Sequence, residues 1–307
     1  MDRPILSIIV VFFNMMREAP RTLYTLSSKY QHGANQDEYE VIIVDNGSTI
    51  PLDKKMVESF GPNFRLYRRA PSPSPAAAIN AAVKSSRGNF IMICIDGARM
   101  LSPGIINFTL AGFKAYRNSI ISTLGYHLGP KIQRFSIPEG YNRNTEDLLL
   151  DSVDWRENGY NLFKISALAG ASRKGWFCPL GESNCLSMKR IAYEELGGYD
   201  ERFQSPGGGL VNQDFYKRIC DKLDNLIILL GEGTFHQIHG GVATNALPEH
   251  HPYKSFHKEY VSIRGFYFIR SQREPIYFGS ITNQSFPFLS YSVEVLEKML
   301  NINSTGE

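Results

Sequence analysis

"FIMICIDGARM", residues 90–100, is an apolar run that stops on a carboxylate. It is too continuous for a half-exposed strand and too short to span a membrane, so it predicts a strand buried on both faces. Asp96 stands at its C-terminal end, followed by Gly97, Ala98 and Arg99. Two earlier stretches repeat the pattern: "ILSIIVVFF" (5–13) closes on Asn14, and "YEVIIVDNGST" (39–49) reaches Asp45. Between them lie helix signals, "REAPRTLYTLSSKY" (17–30), "PLDKKMVESFG" (51–61) and "PAAAINAAVKSSRG" (75–88), and a short strand, "FRLYRR". The last helix opens on Pro and closes on Gly. Strand and helix alternate through the first hundred residues, which predicts an α/β, doubly wound, mainly parallel sheet with helices on both faces. Ligands of such sheets bind beyond the C-terminal strand ends. Asn14, Asp45 and Asp96 therefore converge on one crevice.

The chain has 307 residues, of which 43% are hydrophobic and 21% charged, the composition of an ordinary globular protein with room for a large core. A net charge of +3 without any long Lys/Arg block argues against a nucleic-acid partner and is compatible with small anions such as diphosphates. Cys94, Cys178, Cys185 and Cys220 form no C-x-x-C pair and read as reduced thiols, which places the expectation in the cytoplasm. The run from Ile5 reads as the first strand rather than a signal peptide, lacking a basic start and a small-residue cleavage site.

Further along, residues 126–176 are poorly periodic and read as loops and short elements over the crevice. "RIAYEELGGYDERF" (190–203) predicts a helix stopped by Gly197 and Gly198, and "NQDFYKRICDKL" (212–223) a helix with Asp214 in its first turn. "NLIILLGEG" is a buried strand leading into "TFHQIHGGVATN", which carries His236 and His239. Two histidines three apart, followed by glycines, share a face if the segment turns, and imidazole is a common metal ligand. A tail follows from about 246, with a last helix at "SYSVEVLEKMLNIN".

In this order, "IIVVFFN", "VIIVDNGST", the Ala-rich helix with Asn80, "FIMICIDGAR", "LGGYDERF" and "NQD" resemble a family 2 glycosyltransferase of the GT-A fold, over about residues 5–240. The resemblance implies a GT-A-like nucleotide-sugar-binding catalytic domain over 1–245 and a C-terminal extension over 246–307 packing on it or on a partner subunit. It implies transfer of a sugar from a nucleotide-diphosphate donor to an acceptor hydroxyl, usually with inversion, in polysaccharide or glycan biosynthesis. The implied partners are that donor and a glycan or lipid-linked acceptor. Association with the inner membrane face and a homo-oligomer are left open.

The same resemblance assigns roles. Asp45 receives hydrogen bonds from the donor base, Asn14 holds the neighbouring loop, and Asn80 belongs to the donor set. Asp96 is the first acid of the D-x-D motif, but the second is Ala98, which coordinates nothing. Either Mn²⁺ or Mg²⁺ is held through Asp96, His236 and His239, with Glu232 and Gln237 as partners that orient the imidazoles, or Arg99 supplies the positive charge for the departing diphosphate. Asp214 is the expected general base, with Gln213 where the family often has Glu; helix capping is the competing role. Where an Arg often precedes Asn80, this chain has Ile79, so a donor contact is either lost or supplied by Arg68 or Arg69. The broken D-x-D also admits an inert nucleotide-sugar or glycan-binding assembly protein. A sugar nucleotidyltransferase or NAD enzyme is disfavoured, because "FFNMMREAPR" has no glycine-rich loop.

Overall fold

The structure, a computed structural model, describes residues 4–304. Ten strands form one sheet: β1 Leu6–Phe12, β2 Tyr39–Asp45, β3 Phe64–Arg68, β4 Phe90–Cys94, β5 Arg99–Leu101, β6 Ser119–Leu128, β7 Ser166–Leu168, β8 Cys185–Lys189, β9 Asn225–His236 and β10 Pro275–Gly279. Their order is β10-β9-β6-β8-β4-β1-β2-β3, with β5 on β9 and β7 on β6. The β3-β2-β1-β4 half is parallel throughout. Helices Ala19–Leu26, Lys54–Glu58 and Ala76–Ser85 connect these strands in turn. The α/β, mainly parallel expectation holds, and the apolar runs have a simple cause. Ile9, Val11, Ile42 and Val44 enter one core while Ile8, Val10, Val41 and Ile43 enter the other, so no strand face is left polar.

The second half departs from what periodicity foresaw. β8 runs antiparallel between β4 and β6, and β6 occupies ten residues that carried no distinct sequence signal. Both lie wholly inside the molecule, where burial comes from tertiary context rather than from alternation. Residues 126–176 hold the loops and short elements expected of them, among them the helix Arg143–Asp151, whose N-terminus is capped by Asn142. β9 is longer than expected. Its register against β6 shifts between Ser122 and Leu124, and beyond that break it continues to His236. Residues after 246 supply β10 to the sheet edge and the helices Tyr253–Arg264 and Phe286–Ser304. The first of these helices reaches back to the core through Arg264. Among the described residues no helix is long and apolar enough to cross a membrane.

This topology positions the crevice. β5 folds back on β9 so that Arg99 pairs with His236, while β6 places His127 on the other side of His236. Gly97 makes the turn after β4 possible, because a Cβ there would stand 2.4 Å from the Phe12 ring.

Candidate active site

Asp96, His236 and His239 meet beyond the end of β4, with ligand atoms that all lie within 4.8 Å of one another. His236 Nε2 is 3.0 Å from Asp96 Oδ2 and 3.1 Å from His239 Nε2, and His239 Nε2 is 3.8 Å from Asp96 Oδ1. The tautomer of His236 follows from its other side. Gln133 Oε1 lies 2.8 Å from His236 Nδ1 and also accepts from Asn245 Nδ2, while Gln133 Nε2 donates to the His236 carbonyl at 2.9 Å. Nδ1 is therefore the donor, and the Nε2 lone pair faces the carboxylate. Burial lowers the His236 pKa to about 4 against the pull of Asp96, so the ring is neutral near pH 7. Burial opposes ionisation of Asp96, and the positive charge of Arg99, with Nε 3.5 Å from Oδ2, favours it. One carboxylate and two imidazole nitrogens this close together are a donor set that fits a divalent ion, with the His236 Nε2 lone pair already turned toward Asp96.

Gln133 is thus the residue that orients the imidazole. It comes from the unpatterned middle of the chain, and no sequence signal marked it. Glu232 and Gln237, the expected partners, are elsewhere. Gln237 Nε2 donates to the Glu18 carbonyl and to Thr22 Oγ1. Glu232 is fully buried and accepts from the Ser102 hydroxyl, from Gly104 N at 3.1 Å and from the Tyr160 hydroxyl at 2.7 Å, with no cationic side chain against it among the described residues. Burial pushes its pKa up to about 7, partly offset by those hydrogen bonds. The folded value lies above the ordinary 4.5, so its contribution is favourable at low pH and lost as pH rises through 7. Glu232→Gln should remove a decline on the order of 3 kcal/mol between pH 4.5 and 7. Urea unfolding of both proteins at several pH values checks this; parallel pH profiles would contradict it.

Arg99 does not reach solvent. It is 5% exposed, its Nε is 3.5 Å from Asp96 Oδ2, and Nε and Nη1 have no hydrogen-bond partner among the described residues. Ala98, at the position of the second acid, is fully buried in the core, and its carbonyl accepts from Gln237 N at 2.8 Å. The small side chain suits a packed position.

A cavity of about 730 Å³ opens beside this cluster, lined among others by Asn14, Asn46, Asp96, Arg99, Glu182, Gln213 and His239. It is of the size that takes a small organic ligand. Asn14, at a positive φ of 54°, accepts from Thr49 N at 2.8 Å, and its own N–H donates to Ser48 Oγ at 2.9 Å. It ties the end of β1 to the loop that follows β2.

Three of the expected residues have their polar atoms engaged within the chain. Asp45 is 2% exposed and spends both oxygens inside its own turn, accepting from Ser48 N at 2.9 Å and Leu52 N at 2.8 Å. The next residue, Asn46, faces the cavity instead, with a buried Oδ1 that lacks a partner and an Nδ2 donating to the Ser72 carbonyl. Asn80 is a latch between elements. Its Nδ2 donates to the Tyr199 carbonyl and Glu201, and its Oδ1 accepts from Tyr199 N and the Tyr193 hydroxyl, which leaves nothing for a donor. Asp214 is 1% exposed and held by Arg218 Nε at 2.9 Å and by Arg264 Nε and Nη2 at 2.7 Å each. Both oxygens are taken by guanidinium groups and the side chain does not line the cavity, so it is not placed to accept a proton there. Arg68, a suggested substitute contact, donates to the Leu52 carbonyl at 2.7 Å.

The comparisons agree with this architecture. Residues 7–122 match the model of glycosyl transferase family 2. Among solved structures, S. aureus TarS 1-349 aligns with TM-score 0.51 and 14% identity over 76% of this chain and 60% of that one. The mannosyltransferase PcManGT from Pyrobaculum calidifontis, in complex with GDP-Man and Mn²⁺, gives 0.51 and 15% over 96% of this chain and 70% of that one. GalNAc-T7 with UDP, GalNAc and Mn²⁺ gives 0.54 and 16% over 85% of this chain and 48% of that one. The chain thus spans about 60% of the length of the TarS fragment it matches. No curated protein matches the chain. The fold is GT-A-like, and the family 2 resemblance is borne out over the N-terminal part.

Proposed function

We propose, from the family 2 glycosyl transferase match and the GT-A-like fold, that the chain transfers a sugar from a nucleotide-diphosphate donor to an acceptor hydroxyl. The observation that carries this reading is the cluster of Asp96, His236 and His239, of which Asp96 and His239 line a ligand-sized cavity and His236 lies buried behind them. Those three side chains would hold a divalent cation, which when bound supplies positive charge to the diphosphate leaving group. One carboxylate with two imidazoles suits Mn²⁺ better than Mg²⁺, which prefers oxygen ligands and water. Arg99 adds a fixed guanidinium whose Nε faces Asp96 and whose Nη1 lacks a hydrogen-bond partner among the described residues and would donate to a diphosphate oxygen, so the metal and arginine accounts combine rather than compete. Asn46 Oδ1 is an acceptor for a base N–H, of the kind uracil and guanine both carry. The reaction is direct displacement at the anomeric carbon, with inversion, and the acceptor is a glycan or lipid-linked glycan.

The catalytically inert alternative draws its support from one feature. Asp214 is locked by two arginines, and its neighbour Gln213, which does line the cavity, cannot take up a proton at neutral pH.

The two readings separate in a thermal-shift and turnover screen of UDP- and GDP-sugars with and without Mn²⁺. A ligand that binds only the folded chain raises its Tm. Stabilisation that requires both nucleotide and Mn²⁺, with release of nucleoside diphosphate, is the expected result. Stabilisation without any turnover would favour the inert protein, and neither would overturn both.

A further inference from the structure

The residues before β8 pass the end of β4 on the side opposite β1. Cys185 pairs with Cys94, so the chain that leads into β8 runs past Ile95 and Asp96. Two of its residues, Glu182 and Asn184, line the same cavity as Asp96 and Arg99. Glu182 is held from one side only. Its Oε2 accepts from Asn212 Nδ2 at 2.9 Å, and Asn212 is itself fixed by donating to the Ser183 carbonyl and accepting from the Tyr199 hydroxyl at 3.1 Å. The other oxygen, Oε1, has no hydrogen-bond partner among the described residues. The contrast with Asp214 is direct: one acid is closed off by arginines, the other presents an oxygen to the cavity.

On the reading of the chain as a sugar transferase, we infer that Glu182 is the general base, in place of the acid on the helix Val211–Lys222. That helix still takes part, since Asn212 in its first turn anchors the carboxylate. The step balances simply. The acceptor hydroxyl gives its proton to Glu182 Oε1 as its oxygen forms the new bond to the anomeric carbon. The bond from that carbon to the diphosphate oxygen breaks, its electron pair leaves with the nucleoside diphosphate, and the proton passes from Glu182 to solvent after product release. Burial raises the Glu182 pKa above the ordinary carboxylate value, against the opposing pull of the Asn212 hydrogen bond, Arg99 and Arg270, which makes it a stronger proton acceptor.

The test measures release of nucleoside diphosphate from UDP-glucose, UDP-GlcNAc and GDP-mannose with Mn²⁺, water serving as acceptor, for wild type, Glu182→Gln and Glu182→Asp. Glu182→Gln should lower kcat about 100- to 10,000-fold. Its Tm and its affinity for UDP or GDP with Mn²⁺ should be unchanged, because Gln keeps the volume and an acceptor for Asn212. Glu182→Asp should recover part of the loss. A Glu182→Gln protein with wild-type turnover, or one whose loss lies entirely in nucleotide affinity, overturns the base assignment and leaves sugar transfer standing. A wild-type chain that binds these nucleotides but releases none overturns sugar transfer and the base together.

Discussion

Asp96→Asn should lower the affinity of the protein for Mn²⁺ by more than about 100-fold, because even residues that only orient a metal ligand are worth about 10- to 100-fold. The substitution keeps the shape of the side chain and an acceptor for Ala98 N, which the native Oδ1 engages at 3.0 Å. What it removes is the one formal negative charge facing His236 Nε2 and His239 Nε2. Gln133→Ala should fall in the smaller range, about 10- to 100-fold, since it frees the His236 ring to rotate or change tautomer without removing a ligand atom. Calorimetric titration with Mn²⁺ alone reads both, independently of any turnover. Equal affinities in the three proteins would contradict the metal site and leave Arg99 as the fixed charge beside Asp96.

Asp214→Asn should destabilise the fold by about 3 kcal/mol, since removing one partner of a buried ion pair leaves the other uncompensated. Arg264 bridges Asp214 and Asp200, 2.8 Å from the latter, and Arg218 adds hydrogen bonds to the Leu196 and Gly198 carbonyls. Hydrogen bonding to Asp214 raises the Arg264 pKa further above its ordinary value, so that guanidinium stays charged whether or not its partner does. The pair ties the helix Tyr253–Arg264 to the helix Val211–Lys222, and its loss should loosen the C-terminal segment first. Urea unfolding measures the loss, and UDP binding with Mn²⁺ under native conditions should survive it. A variant of wild-type stability that had lost turnover would return Asp214 to the role of base.

The sequence made the first half of the sheet legible because β1, β2 and β4 are buried on both faces and β1, β2 and β3 are each followed by a helix with its own Pro or Gly punctuation. β6 and β8 were hidden for a related reason: a strand that crosses the molecule inside a mixed sheet has no alternation of its own. The grouping of Asp96, His236 and His239 was foreshadowed by an acid at a strand end and two histidines before glycines, while the metal role for Asp96 came from the family resemblance. Asp45, Asn80 and Asp214 show where that reasoning stops. All three are polar residues at places where a ligand contact is expected, yet each is consumed by an internal network whose other members lie 3 to 121 residues away in the chain. Gln133 and Glu182 were invisible for the converse reason. Their roles rest on contacts across 103 and 30 residues, and neither sits in a pattern that periodicity or local spacing marks.

The most direct test of the metal-centred account is a crystal structure with Mn²⁺ and UDP, read by anomalous scattering at the manganese edge. The account requires a single peak within bonding distance of Asp96, His236 Nε2 and His239 Nε2, with the diphosphate against it and against Arg99. A diphosphate bound in the cavity with no manganese among those three side chains would contradict it.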